Sequence, residues 1–169
     1  MKVVAIIVAA GSGKRLGRST KKQFFSIGSK PILAYTLDIF DSIDRVDRII
    51  LVIPRGWERY CHKEIIEKYG YRKEIEVISG GARRQDSVAR GLALVSSDYE
   101  IVIIHDGVRP FVTRRMVVDS IAKARKFGAC VVAVSVTDTV KMVKSNRVIE
   151  RTLPREYLWR VQTPQTFRL

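Results

Sequence analysis

The sequence contains few of the residues that define several protein classes. Only two cysteines occur, Cys61 and Cys130, and they form no C-x-x-C pair. Because no secretory cleavage pattern follows the basic N-terminus, we expect reduced thiols and a cytoplasmic location. No apolar run approaches the length of a membrane span, so we expect no membrane partner. The chain also lacks internal repeats and low-complexity linkers, and its 169 residues predict a single domain, 1–169.

Acidic residues are scarce relative to basic ones. The chain has 31 Lys and Arg against 17 Asp and Glu, a net charge of +14, and its first 37 residues contain no acidic residue. Such a balance indicates either nonspecific nucleic-acid binding or a pocket that gathers cations around small phosphorylated ligands. The cations cluster in loops after predicted strands, without aromatic-studded strands or a recognition-helix pattern. We therefore favour phosphorylated ligands and expect no nucleic-acid partner.

The stretch 3–23 is the most informative part of the chain. Val3–Ala9 is a run of seven apolar residues, rich in β-branched side chains, which predicts a buried strand. A small, glycine-rich, strongly basic loop follows it. Glycines let backbone N–H groups approach a ligand closely, and Arg and Lys supply positive charge, so this loop predicts a phosphate-binding site.

The spacing of the glycines excludes two common phosphate-binding loops. Across Gly11–Gly17 the pattern G-x-G-x-x-x-G is one residue wider than a dinucleotide fingerprint, and the next apolar strand, 48–53, ends without a carboxylate for the ribose. A Walker loop requires Ser or Thr after Gly-Lys, whereas Arg15 follows here. A loop that presents Arg15 and Lys22 to a polyphosphate remains. The alternative is an ordinary strand–helix turn with surface cations.

Strand, loop and helix alternate along the rest of the chain. This order predicts an α/β layer fold with a mainly parallel sheet, in which ligands bind beyond the carboxyl ends of the strands. The basic and glycine-rich segments fall at those ends, so we expect them to form one site. The predicted strands span 48–53, 75–78, 101–104 and a buried 129–136, and the predicted helices span 31–40, 57–69, 86 or 87 to 95, and a helix capped by Thr113 that ends at Gly128.

The segment from Thr137 onward has a different pattern. Val140–Val143 and Val148–Thr152 flank Ser-Asn, which predicts a β-hairpin. Because its alternation is only partly apolar, this hairpin has little core of its own, and an isolated ribbon is marginal in water. We expect a projecting β-arm, about 137–162, that packs on a second subunit.

Five separated motifs occur in order along the chain: AAGSGKRLG with KKQF, GGARRQDSV, HDGVRPFV, DTVK, and TLPREYLWRVQTPQTF. Together they resemble the 2-C-methyl-D-erythritol 4-phosphate cytidylyltransferase family. The resemblance implies a three-layer Rossmann-like nucleotidyltransferase fold with a mainly parallel sheet and a projecting β-arm. It also implies transfer of CMP from CTP to the sugar-alcohol phosphate, with release of pyrophosphate, in the non-mevalonate pathway of isoprenoid synthesis.

The resemblance assigns the nucleotide side of the site. It implies that Arg15 and Lys22 stabilise the transition state at the α-phosphorus, and their chemistry agrees, since Arg offers a rigid fork and Lys a compact charge. Mg²⁺ is the expected cofactor, bridging the triphosphate. A plain loop with a helix cap is the alternative for the segment after residue 79. The implied nucleotide contacts are Ala9, Ala10, Gly11, Ser12 and Gly13 in the first loop, with Gly80, Gly81 and Ser87 around the cytosine and ribose.

The resemblance also assigns the acceptor side. Asp106 and Arg109 would meet the sugar alcohol, with Asp106 accepting from its hydroxyls or helping to hold Mg²⁺. We favour a structural role for His105, because only one other histidine occurs. Thr139 and Arg155 lie in the arm, and in the family this arm reaches the neighbouring subunit, where the Arg orients the substrate phosphate. A homodimer with shared active sites is therefore expected.

The chain departs from the family pattern in three places. Lys21 stands where the family usually has Pro, and Gly107-Val108 replaces a common Ala-Ala. The family also continues past QTPQTF into a segment that carries a substrate-binding Thr and a Lys, and this segment is not in the sequence. Ribitol 5-phosphate cytidylyltransferase is the near alternative, although TLPREYLW and RRQDSV favour the methylerythritol enzyme. A noncatalytic basic nucleic-acid-binding domain is the alternative of another class.

Overall fold

The computed structural model describes residues 1–11 and 21–169. A six-stranded sheet forms its centre, and two short strand pairs accompany it. The strands are β1 (Lys2–Val8), β2 (Ser26–Ile27), β3 (Lys30–Pro31), β4 (Arg48–Ile53), β5 (Glu74–Ser79), β6 (Tyr99–Asp106), β7 (Ala129–Ser135), β8 (Val140–Val143), β9 (Ile149–Leu153) and β10 (Trp159–Arg168). The helices are α1 (Ile32–Asp41), α2 (Glu58–Cys61, continued by a π-helical segment, His62–Glu67), α3 (Arg84–Leu92) and α4 (Arg114–Phe127).

The main sheet has the strand order β5–β4–β1–β6–β10–β7. β1 pairs in parallel with β4 and β6, and β4 pairs in parallel with β5. β10 runs antiparallel to both of its neighbours, β6 and β7. The mainly parallel sheet is therefore confirmed, and the carboxyl ends of β5, β4, β1 and β6 lie along one edge.

Helices cover the sheet on both faces. Val3, Ala5 and Ile7 of β1 belong to a core that contains buried side chains of α1 and α4. Val4 and Ile6 belong to a second core on the opposite face, against which Val88 of α3 packs. A strand covered on both faces has to be apolar throughout, which explains the continuous run in β1. The three-layer architecture is confirmed.

Several predicted element boundaries agree with the structure, and others shift. Thr113 caps α4 by accepting a hydrogen bond from the Met116 N–H at 3.2 Å, and Gly128 ends it with φ +90°. The predicted start of α3 at Asp86 or Ser87 is wrong, since the helix begins at Arg84. Asp86 acts instead from the third helical position, where its carboxylate accepts the Arg83 N–H at 3.0 Å.

β10 is a central strand that the sequence did not predict. Its polar residues interrupt any apolar run, and two of them, Thr163 and Thr166, are buried. The hydroxyl of Thr166 forms a hydrogen bond with that of Ser120 in α4, at 2.8 Å. A buried threonine with a hydroxyl partner satisfies its polar atom, so the strand tolerates a composition that predicts exposure.

β7 is one of the two edge strands of the main sheet, and it is less buried than the sequence predicts. The expectation of a buried fifth strand is wrong, because Val131 and Val134 are 45% and 49% exposed. β7 pairs with β10 on one side and has no strand on the other, where the main sheet ends. Edge strands keep fewer side chains covered than central ones, which accounts for the difference.

The β-arm is an antiparallel hairpin of β8 and β9. Arg147 in its turn adopts φ +64°, and side chains along both strands are largely exposed. The hairpin ends earlier than the predicted boundary near 162, since Trp159–Val161 already pair with β7 in the main sheet. Among the described residues, no helix combines the length and hydropathy needed to cross a bilayer.

Candidate active site

Three loops meet at the carboxyl ends of the parallel strands. They follow β1, β5 and β6, and two glycines allow their close approach. A Cβ added at Gly80 would collide with the Cβ of Ala10, and one added at Gly107 would lie 2.9 Å from the Cβ of Ala9. The predicted residues Ala9, Ala10 and Gly80 are therefore brought together by the fold.

Sheet hydrogen bonding continues into the first residues of each loop. The Ala9 N–H donates to the Val52 carbonyl at 2.7 Å, and the Gly107 N–H donates to the Val8 carbonyl at 2.8 Å. The Gly80 N–H donates to the Ile53 carbonyl at 2.7 Å. Because Ala9, Gly80 and Gly107 are bonded to the sheet, the first residues of the three loops are held before any ligand binds, which is the preorganisation that phosphate recognition requires.

Ser87 holds the loop after β5. It is 2% exposed, its hydroxyl accepts the Gly81 N–H at 3.1 Å, and the same hydroxyl lies 3.3 Å from the Arg83 carbonyl. Ser87 was predicted to contact the nucleotide directly. In this arrangement its hydroxyl shapes the loop whose backbone, at Gly80 and Gly81, lies next to the first loop.

Gln23 contacts the beginning of the loop after β1. This side chain is 2% exposed, and its amide nitrogen donates to the Gly11 carbonyl at 3.4 Å. Phe24 stacks on Trp57 with ring centroids 4.9 Å apart, which anchors the 3-10 turn Lys22–Phe24 on its other side. Lys22 is exposed and begins this turn, so it lies beside the first loop. The predicted site residues Ser12, Gly13 and Arg15 lie outside the described residues.

Asp106, at the end of β6, lies between two arginines. Its Oδ1 accepts from Arg84 Nε and its Oδ2 accepts from Arg109 Nε, each at 2.9 Å. Arg109 also donates to Gln162, and the Asp106 N–H donates to the Thr163 hydroxyl at 3.3 Å. The predicted pair Asp106 and Arg109 is thus brought together, with three partners from β10 and α3 that the sequence interpretation did not assign.

His105 holds the loop after β6. It is fully buried, its Nε2 lies 3.2 Å from the Arg109 carbonyl, and its ring centroid lies 5.0 Å from that of Phe40. Because a carbonyl only accepts, Nε2 carries the proton in this hydrogen bond. Burial lowers the pKa of His105 to about 4, so the ring is neutral at pH 7. The favoured structural role of this histidine agrees with these contacts.

The described residues do not form a protein cage for a metal ion. No group of three or more His, Cys, Asp or Glu side chains that could hold one occurs in 1–11 and 21–169. Both carboxylate oxygens of Asp106 are already paired with guanidinium groups. The predicted role of Asp106 as a metal ligand does not fit this arrangement.

Thr139 and Arg155 lie at the base of the β-arm. Arg155 is exposed and donates from Nη1 to the Thr137 carbonyl at 2.9 Å, and exposed Thr139 directly precedes β8. Within one chain these two residues therefore belong to the arm and not to the three loops.

An open cavity of about 430 Å³ lies beside Arg109. Its apolar lining includes Val112, Met116 and Val132, and Gln162 and Thr163 provide polar groups. A cavity that combines an apolar wall with a cation and with hydroxyl and amide groups can receive a small ligand that carries an anionic group.

The family model of 2-C-methyl-D-erythritol 4-phosphate cytidylyltransferase matches residues 3–169. The curated relative from Alkaliphilus metalliredigens is 46% identical over 167 residues, with 99% of this chain and 69% of the relative covered. The relative from Geobacter metallireducens is 44% identical, with 99% and 73% covered. The crystal structure of 4-diphosphocytidyl-2C-methyl-D-erythritol synthase from Anaerococcus prevotii superposes with a TM-score of 0.87 at 34% identity, with 99% and 71% covered.

Proposed function

The chain belongs to the 2-C-methyl-D-erythritol 4-phosphate cytidylyltransferase family, and on that premise we propose that it transfers the cytidylyl group of CTP to 2-C-methyl-D-erythritol 4-phosphate. The product pyrophosphate leaves, and the reaction serves isoprenoid synthesis by the non-mevalonate pathway. One observation carries the proposal further than membership alone. The three loops after β1, β5 and β6 converge, and a carboxylate with two arginines stands at their meeting point.

The reaction joins two anions, so fixed positive charge is the main requirement. An oxygen of the acceptor phosphate attacks the α-phosphorus, and the bond from the α-phosphorus to the oxygen that bridges it to the β-phosphorus breaks. Charge accumulates on the oxygens around the α-phosphorus, and little covalent chemistry is left to the protein. We assign to Lys22 and Arg15 the stabilisation of this charge. Lys22 directly precedes Gln23, whose side chain contacts Gly11 at the start of the loop after β1.

The two substrates are assigned to the two sides of the converging loops. The backbone at Ala9–Gly11 and Gly80-Gly81 is assigned to CTP, because N–H groups without bulky side chains allow close approach to phosphate and base. Asp106 and Arg109 are assigned to the acceptor, whose carbon chain would enter the cavity beside Arg109. Ser87 supports the nucleotide loop through Gly81.

Mg²⁺ is proposed as part of the nucleotide substrate. Mg²⁺ keeps several waters and binds phosphate oxygens readily, so it does not require a cage of protein ligands. The triphosphate would therefore bring the ion with it. With this assignment Asp106 keeps its ion pairs with Arg84 and Arg109 and does not bind the metal ion.

The β-arm is proposed to join two copies of the chain. Val143, Val148 and Ile149 of the hairpin are 49–58% exposed, and a two-stranded ribbon with exposed apolar side chains is marginal unless it packs on another surface. We assign that surface to a second subunit in a homodimer, with Thr139 and Arg155 reaching its acceptor site. A cytoplasmic location is proposed with this assembly.

A pyrophosphate-release assay tests the proposal. CTP, UTP, ATP and GTP are each combined with 2-C-methyl-D-erythritol 4-phosphate or ribitol 5-phosphate. Release that requires both CTP and the methylerythritol phosphate is expected. A preference for ribitol 5-phosphate would show that the chain has the activity of the related ribitol 5-phosphate cytidylyltransferase instead. Salt-sensitive oligonucleotide binding without pyrophosphate release would favour a noncatalytic nucleic-acid-binding domain.

Lys22 has a matched control in its neighbour Lys21. Lys22→Ala removes a preorganised charge from the reaction centre and is expected to lower kcat by about 10²- to 10³-fold. Lys21→Ala removes an adjacent cation that the proposal does not use, and its kcat should stay within about twofold of wild type. Equal losses of kcat in the two variants would contradict the role assigned to Lys22.

A further inference from the structure

Two adjacent arginines at the start of α3, the N-cap Arg83 and the first helical residue Arg84, have different partners. Arg83 pairs locally with Asp86, which lies three residues ahead in α3, through Nε at 3.2 Å and Nη2 at 2.9 Å. Arg84 crosses to Asp106 at the end of β6, with Nε 2.9 Å from Oδ1. Of these two pairs, only the second connects separate elements of the site, the start of α3 and the end of β6.

The geometry around Asp106 divides its two oxygens between two guanidinium groups. Arg84 takes Oδ1, and Arg109 takes Oδ2 through Nε. A carboxylate and a guanidinium prefer a bidentate pair, in which both oxygens engage two nitrogens of the same arginine. In this structure that pair is not formed, since Arg84 holds Oδ1 and Arg109 reaches Oδ2. Arg109 therefore contacts Asp106 through a single nitrogen.

We propose that Arg84 is a positioning residue that holds Oδ1 of Asp106 and thereby leaves guanidinium donors of Arg109 for the acceptor substrate. The inference rests on the proposed function and adds to it a residue that acts through Asp106. Without Arg84, the Asp106 carboxylate would rotate onto Arg109 and form the bidentate pair. Arg109 would then be neutralised and turned toward its own carboxylate, and the acceptor would lose donors.

A role in stability does not explain the Arg84 contact equally well. The side chains of Arg84 and Arg109 are each 46% exposed, and that of Asp106 is 24% exposed. Ion pairs at this exposure contribute little to folding, because solvent screens them. The consequence of removing Arg84 should therefore appear in substrate binding and not in the melting temperature.

The test compares Arg84→Ala, Arg84→Lys and Arg83→Ala in the full chain, with KM measured separately for each substrate. Arg84→Ala should raise KM for the acceptor phosphate by about tenfold, the loss expected for a charged hydrogen bond. Its KM for CTP and its melting temperature should stay near wild-type values. Arg84→Lys keeps a cation within reach of Oδ1 and should recover most of the loss, and Arg83→Ala should bind both substrates as wild type does.

A double-mutant cycle shows whether Arg84 acts through Asp106. In an Asp106→Asn background the carboxylate is absent, so adding Arg84→Ala should change the acceptor KM no further. If the double variant multiplies the two separate increases in acceptor KM, the inference is overturned. A rise in KM for CTP alone, or no effect of Arg84→Ala in an active enzyme, would also overturn it.

A structural readout separates this inference from the proposed function. If the wild type releases no pyrophosphate, the proposed function fails, and a crystal structure of Arg84→Ala then decides the role of Arg84. Both oxygens of Asp106 on the Arg109 guanidinium would support the inference. An unchanged single contact between Asp106 Oδ2 and Arg109 Nε would overturn it.

Discussion

Three buried polar side chains hold the loops of the site. Gln23 binds the Gly11 carbonyl, Ser87 binds the Gly81 N–H, and His105 binds the Arg109 carbonyl. Each is almost fully buried and satisfies a backbone group of one loop. Because a backbone group left unsatisfied near the interior is costly, each side chain fixes the backbone group that it binds. The exposed residues of the site depend on these buried ones for their placement.

The sequence identified the exposed residues of the site better than their supports. Asp106 and Arg109 follow a clear apolar strand, so their position at the strand end could be predicted. A single buried glutamine or serine does not form part of a periodic pattern. Its partner is a backbone group, which every residue has, so the sequence does not indicate the contact. Arg84 was one cation among many in a basic chain, and only the fold pairs it with Asp106.

His105 predicts a measurable pH dependence of stability. Its pKa is lowered from 6.5 to about 4 in the folded state, because burial disfavours the charged ring. The unfolded chain therefore takes up a proton at a higher pH than the folded chain, and stability falls as pH drops from 6.5 toward 4. From this group alone the free energy of unfolding should be about 2–3 kcal/mol smaller at pH 4.5 than at pH 7.5.

Urea unfolding of wild type and His105→Asn at these two pH values checks the prediction. The asparagine side chain of the variant cannot titrate, so the loss of stability on acidification should be smaller than in wild type by the same amount, about 2–3 kcal/mol. The comparison uses the difference between pH values, so a constant destabilisation by the substitution cancels. Parallel pH dependences for the two proteins would contradict a buried neutral histidine.

Secondary-structure elements differed in how well their sequence defined them. β1, β4 and α4 have continuous or periodic apolar residues and clear ends, and the structure agrees with them closely. β10 was missed because its burial depends on neighbours on both sides, which local sequence does not report. The exposure of β7 likewise follows from its place at the sheet edge, a property of topology and not of composition.

Glycines at two contacts between elements allow a paired test. Gly80→Ala would place a Cβ against Ala10 and 2.8 Å from Ser87 Oγ, so the first two loops would separate. Gly91→Ala would place a Cβ 2.7 Å from Ile6 Cγ2, where α3 packs on β1. Overpacking of this kind costs about 1–3 kcal/mol. We expect Gly80→Ala to weaken CTP binding and Gly91→Ala to lower stability mainly.

Calorimetric titration with CTP and thermal unfolding separate these two effects. The Gly80→Ala variant should lose about tenfold or more in CTP affinity, in line with the cost of overpacking. The Gly91→Ala variant, where folded, should bind CTP nearly as wild type does. Unchanged CTP affinity in Gly80→Ala would show that the close approach of the two loops is not needed for the nucleotide.

The whole molecule carries a charge of +14, and its arm forms a two-stranded sheet separate from the main sheet. Part of that charge lies at the converging loops, where it suits anionic substrates and speeds their encounter. The arm places Arg155 outside the loops of its own chain, which is expected if its target lies on another subunit. Symmetric exchange of arms would then build two equivalent sites from one dimer.

Complementation between two inactive variants tests shared sites. Lys22→Ala and Arg155→Ala chains, co-expressed with different tags, form a mixed dimer with one site that carries both defects and one site that carries neither. If half of the dimers are mixed, activity should return to about a quarter of wild type. Arg155→Ala alone should lower turnover and leave CTP affinity nearly intact. Activity no greater than the average of the two variants would place Arg155 with its own chain.

Phosphorus NMR of the reaction mixture tests the central claim most directly. The protein is incubated with CTP, Mg²⁺ and 2-C-methyl-D-erythritol 4-phosphate, and the ³¹P signals are followed with time. The acceptor monoester and the triphosphate should be replaced, in equal amounts, by pyrophosphate and by the coupled pair of signals of an unsymmetrical diphosphate diester. Persistence of the monoester signal, whether CTP is left intact or is hydrolysed, would contradict the account.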